Sequence, residues 1–173
     1  MVALLSTGTS YVSTRSSERQ AREALTYNDR RADEEFRRTN QRVAYAEFQI
    51  EMVRANNGIA RFGTILAFET DSLLPVESIK RSMQSLLDAM TPMNDKFAVV
   101  QMVASERTLQ SATEWLVKTS NTIGLLSSSL TYAAETYSAD QAKLRAIAED
   151  TKEMSRLRMT FLKDARSDVN AFG

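Results

Sequence analysis

LQSATEWLVKTSNTIGLLSSSLTYA, residues 109–133, is the stretch whose reading decides the fold. Leu109, Leu116, Ile123 and Leu130 recur every seventh residue, and Ala112, Thr119, Leu126 and Ala133 follow three places behind them. The first series extends back to Met102 and on to Tyr137 and Leu144; the second continues through Asp140 to Ile147, Met154 and Phe161. A sustained period of 3.5 residues is the mark of helices that supercoil on partner helices. Asp140 interrupts the seam, and Ser138-Ala-Asp-Gln141 has the form of a capping box, so a kink or a fresh helix start is expected there. Ser120-Asn-Thr-Ile-Gly124 is a second candidate break, placed behind the first because Leu116 and Ile123 hold phase across it.

Working outward, the breakers are few. No Gly or Pro occurs over 9–57, 93–123 or 125–172. Hairpin proteins need turn residues every 8–12 positions, and that spacing is absent. Pro75 after Thr70-Asp-Ser72, and Pro92 after Thr91, both sit where a capped helix would begin. The expected fold is all-α, an elongated antiparallel helical bundle or coiled-coil hairpin. A single helical domain over 17–173 would hold helices at about 17–69, 75–90, 92–137 and 139–169. Ahead of it, residues 1–16 read as a flexible arm, because Ser6, Thr7, Thr9, Ser10, Ser13, Thr14, Ser16 and Ser17 crowd one short stretch.

The first helix carries two apolar series. Ala32, Phe36, Thr39, Val43, Ala46, Ile50, Val53, Asn57 and Ala60 alternate by four and three. Tyr45, Phe48, Met52, Ala55, Ile59, Phe62 and Leu66 alternate by three and four, about 200° away around the helix. A helix apolar on two faces lies between two packing layers. With one long partner helix expected from the rest of the chain, the second series is surplus. Tyr45, Phe48, Met52, Ile59, Phe62 and Leu66 are therefore the expected oligomer interface.

Chemistry is poorly provided for. The chain has no Cys and no His, which removes thiolate zinc sites, Fe–S clusters and the commonest general base. Glu149, Asp150 and Glu153 cluster, but di-iron bundles pair Glu with His three residues on, and Lys152 and Arg156 are nearer partners for these acids. Gly58-Ile-Ala-Arg-Phe-Gly63 lacks the Gly-Lys-Ser/Thr of a phosphate loop and reads as a bend or a close helix approach. Neither G-x-S-x-G nor S-x-x-K is present. Trp115, Met90, Met93 and Met102 are core residues or a ligand groove, and Ser127-Ser-Ser129 beside Gly124 is a packing notch or a functional feature. No catalytic residue, cofactor or metal is assigned.

Basic and acidic residues balance at 22 each. Residues 15–42 hold eight arginines, Arg15, Arg19, Arg22, Arg30, Arg31, Arg37, Arg38 and Arg42, against six acids. The pairs Glu18/Arg22, Asp33/Arg37 and Glu34/Arg38 stand four apart in the favourable order, so a self-paired face is expected rather than a nucleic-acid strip. The start, Met1 to Leu5, lacks the basic region and apolar length of a cleaved signal, and the densest apolar run, Ile59 to Phe68, is too short to span a bilayer. The expected protein is thus a non-enzymatic structural component assembling with itself, and with other assembly proteins, as in a filament subunit or a phage virion. A virion or a signal-independent secreted assembly is the expected location, with the cytoplasm as the alternative. Two other readings compete. One is a membrane-active helical protein using Ile59–Phe68 with Leu73 and Leu74, without spanning; the other is a soluble adaptor that takes another protein's helix.

Overall fold

A computed structural model describes residues 5–68, 76–136 and 140–171. It is all-α: α1 (Leu5–Phe68), α2 (Val76–Val103), α3 (Glu106–Thr136) and α4 (Gln141–Asn170), with no strand among the described residues. The chain divides into two units between Thr39 and Asn40.

In the first unit α1 is helical from Leu5, so most of the stretch read as a flexible arm is helix. Serine and threonine are mediocre helix formers, but adding a residue to an existing helix costs far less than starting one. The side chains described here, Arg19 to Arg37, are all exposed, Leu25, Tyr27 and Phe36 included. Local ion pairs four residues apart support this part, Arg19 with Glu23 at 3.0 Å and Arg31 with Glu35 at 3.4 Å.

The second unit is a four-helix bundle in which each helix runs antiparallel to the next. The pairs Gln41/Val103, Glu47/Lys96 and Gly58/Leu86 run in opposite directions along α1 and α2. Tyr45/Asp168, Asn56/Ser155 and Gly63/Ile147 do the same for α1 and α4, and Arg107/Asp164 with Lys118/Asp150 for α3 and α4. Phe48 stands where all four meet. Its ring lies 5.7 Å from that of Phe97 on α2, 6.0 Å from Trp115 on α3 and 5.4 Å from Phe161 on α4, the last two edge-to-face.

Pro92 does not start a helix; it lies inside α2. A proline there removes one backbone bond and costs about 3 kcal/mol. Against that stand Met83, Leu86, Met90, Met93, Phe97 and Val100, an unbroken four-three series that faces the core on both sides of Pro92. Each large side chain buried contributes roughly 1.5–3 kcal/mol, so packing across the proline outweighs its local cost. Pro92 itself is exposed, where water can serve the freed carbonyl. Pro75 and its capping residues lie outside the described residues.

The helix break comes instead at Ala104–Ser105. Ser105 caps α3: its Oγ accepts from Thr108 N at 3.3 Å and its carbonyl from Leu109 N at 2.9 Å. Met102, read as the head of the heptad, is 75% exposed because it precedes this turn. α3 then runs through Ser120–Gly124 unbroken. A new helix does begin near 139, as the sequence indicates. Its cap is Asp140, whose Oδ1 accepts from Ala142 N and Lys143 N, both at 3.1 Å. Those bonds, the Lys143 N–H foremost, hold the Asp140 carboxyl below its ordinary value. Tyr137, Ser138 and Ala139 lie outside the described residues.

The inner seam of α3 is half of the expected one. Ala112, Thr119, Leu126 and Ala133 are buried as expected, whereas Leu109, Leu116, Ile123 and Leu130 are only half-buried on the flank. The alternate layers are filled by Thr108, Trp115, Thr122 and Ser129. Hydroxyls fit inside because they bond their own helix. Thr119 donates to the Trp115 carbonyl at 2.9 Å, Thr122 to Lys118 at 2.8 Å and Ser129 to Leu125 at 2.8 Å.

Candidate functional site

The six residues read as the oligomer interface lie in the core of the bundle. Tyr45, Phe48, Met52, Ile59, Phe62 and Leu66 are all buried within a single chain. The expectation of one long partner helix is what changes. Because the chain turns at 104–105, α2, α3 and α4 all reach Phe48 on this stripe, and its six residues are enclosed. The opposite stripe stays outside: Val43 is 53% and Ile50 51% exposed, with Ala46, Asn57 and Ala60 also exposed and Val53 half-buried. This outer row is the candidate functional face.

It borders two open grooves between α1 and α4. One, of about 360 Å³, is lined by Arg42, Tyr45, Ala46 and Gln49 facing Leu162 and Arg166. The other, of about 350 Å³, lies between Ala60, Gly63 and Thr64 of α1 and Leu144, Ile147 and Thr151 of α4. The Gly58–Gly63 stretch marks close helix approach, and α1 runs through it without a break. A Cβ on Gly58 would stand 2.9 Å from Leu86 Cδ1, and one on Gly63 3.4 Å from Ile147 Cγ2. Gly124 has nothing within 4 Å, and Ser127 and Ser128 beside it are exposed, so only Ser129 of that notch packs inward.

The polar node of the bundle gathers at Asp168. Its Oδ2 accepts from Tyr45 Oη at 2.7 Å and from Ser105 N at 3.0 Å, joining α1, α4 and the α2–α3 turn. Gln41 closes the same end by donating to the Val103 carbonyl at 2.8 Å. Burial pushes the Asp168 carboxyl up, but hydrogen bonds from Ser105, Tyr45 and Thr108 outweigh it and hold it below its ordinary value of 3.8. A carboxyl lowered by folding contributes stability above its unfolded value and loses it as pH falls through the folded one. Asp168→Asn is therefore expected to cost on the order of 1 kcal/mol at pH 7, the node being partly solvated, and less at pH 3. Urea unfolding at both pH values measures this; an equal loss at each would separate the effect from ionisation.

The acidic cluster of α4 resolves into ion pairs. Glu149 pairs with Lys152 at 2.7 Å and Glu153 with Arg156 at 2.5 Å, while Asp150 is held by Lys118 and by Thr122 Oγ1 at 3.2 Å, both from α3. Among the described residues no group of three or more acidic side chains is arranged to hold a metal ion. Trp115 and Met93 are fully buried core residues, Met90 packs against the core, and Met102 lies apart. No described helix is long and apolar enough to cross a membrane; Leu73 and Leu74 lie outside the described residues.

Several of the arginines of α1 have partners. Arg19 bonds Glu23 at 3.0 Å and Arg31 stands 3.4 Å from Glu35, while Arg37 and Arg38 have partners too. The Glu18 side chain lies outside the described residues. Generic duplex DNA is accordingly expected to bind weakly at about 0.15 M salt, with a shallow salt slope. A submicromolar, steeply salt-dependent affinity in a fluorescence titration would show that these arginines are free for phosphate.

No protein-family model, characterised relative or solved structure matches this chain.

Proposed function

We propose that this protein is a non-enzymatic structural component that assembles with copies of itself through helix packing, as filament subunits and phage virion components do. One observation carries the reading. The bundle covers its own core, yet α1 keeps a row of β-branched and small apolar side chains, Val43, Ala46, Ile50, Val53 and Ala60, on the face turned away from that core. Single exposed apolar residues need no explanation, but a row at heptad spacing is the pattern that helix-to-helix association uses.

Sedimentation equilibrium of the full chain tests it. The mass is expected to exceed the 19.4 kDa of one chain and to rise with concentration. The double variant Val43→Asp/Ile50→Asp is expected to stay at one chain mass with unchanged helical content by circular dichroism, because both positions lie outside the core. A wild-type chain that stays monomeric across the range sinks the proposal. A foreign helix bound along the α1–α4 grooves, the adaptor reading, would then account better for the same face.

A further inference from the structure

The outer row of α1 also specifies how two copies meet. In heptad terms Val43, Ile50 and Asn57 occupy one core position, written a, and Ala46, Val53 and Ala60 the other, written d. β-Branched residues suit the a positions of a parallel two-stranded pair, and a single Asn at a fixes the register by meeting its own copy. Asn57 is exposed and lies on this row. In a parallel pair the residue before each a faces the residue after the following d on the other helix. Around Val43 and Ala46 those positions are Arg42, exposed, and Glu47, half-exposed; the two later pairs, Gln49 with Arg54 and Asn56 with Arg61, bring no like charges together. Opposite charges therefore meet twice, once on each side of the seam. Glu47 already receives Lys96 Nζ at 2.9 Å, and with 44% of its side chain exposed it has room for a second cation.

An antiparallel pair fits less well, because it sets the Asn57 amide against the Ala46 methyl with no partner. We infer that a second copy of this chain docks on the 43–60 face of α1 in parallel, in register, with Ile50 on Ile50, Asn57 on Asn57 and Arg42 paired to Glu47 across the seam. This orientation rests on the self-assembly reading above. The row offers few large side chains, so the contact is small and the association is expected to be micromolar rather than nanomolar.

The absence of native Cys makes a direct test available. Ala46→Cys and Ala60→Cys, both at exposed d positions, are made singly in the full chain, carried on tags of different length, and oxidised separately and mixed. Each variant is expected to cross-link to itself. In the mixture no product should join position 46 to position 60, since 14 residues of helix put them about 21 Å apart. Joining of 46 to 60 in preference to self-pairs would mean antiparallel docking and overturn the inference. A wild-type mass above one chain with neither variant cross-linking would also overturn it, while leaving self-assembly standing through another face. A wild-type monomer would remove both. Ile50→Asp added to either cysteine variant is expected to abolish its cross-link without loss of helical content, and persistence of the cross-link would count against the seam.

Discussion

Phe48→Ala is expected to destabilise the bundle by about 3–5 kcal/mol. The side chain is 0% exposed and touches an aromatic residue from each of the other three helices. Truncation removes the transfer energy of the ring and leaves a cavity that Trp115 and Phe161, themselves fully buried, have little room to fill. Edge-to-face contacts add about 0.5–1.5 kcal/mol per pair beyond area. A domain of this size has only about 5–15 kcal/mol of stability in all, so a large part of it depends on this one ring. Urea unfolding followed by far-ultraviolet circular dichroism gives the number. The control is Phe36→Ala, a residue 71% exposed, whose effect is expected to stay within about 0.5 kcal/mol. A loss below about 1 kcal/mol for Phe48→Ala would mean that the four helices do not meet at this residue.

Arg107→Ala is expected to cost about 3 kcal/mol, the low end for breaking a buried pair because the arginine is largely exposed. Asp164 keeps only 5% of its side chain in contact with solvent, and Arg107 Nε stands 2.8 Å from its Oδ1. That oxygen accepts no hydrogen bond, so the arginine's charge is what balances it. Removing the arginine strands a carboxylate between α3 and α4; removing both charges does not. The double variant Arg107→Ala/Asp164→Leu is therefore expected to be more stable than Arg107→Ala alone. Equal stability of the two, in the same urea experiment, would show that Asp164 reaches water without its partner.

Both residues illustrate a limit of reading by hydropathy. Phe48 was legible as part of an apolar stripe, but its partners were not. Asp164 carried no signal at all, since a charged residue in a helix reads as surface until a neighbouring helix is placed over it. The candidate face was legible in the same partial sense. The row through Val43 and Ile50 is plain in the sequence, and so is the bulkier row through Phe48 and Met52, but how many helices of the same chain would reach α1 is not.

The sequence by itself determined the fold class, because long intervals without Gly or Pro and a seven-residue apolar period admit little else. It also determined the inner face of α4 through Ile147, Met154 and Phe161, and the restart of a helix near Asp140. Local chemistry suffices for these: three large apolar side chains at one spacing, and one carboxylate able to serve two free N–H groups. Tertiary structure decided the rest. Burial of Met90, Met93 and Phe97 carried α2 through Pro92, against a local preference worth about 3 kcal/mol. Self-bonded hydroxyls let Thr122 and Ser129 into the inner face of α3, where hydropathy would place leucines. The turn at Ala104–Ser105 then brought three helices onto α1 instead of one. Those helices enclosed the row of large side chains, Tyr45 to Leu66, and left the row of smaller ones, Val43 to Ala60, facing outward, since covering the larger apolar surface is the more favourable choice.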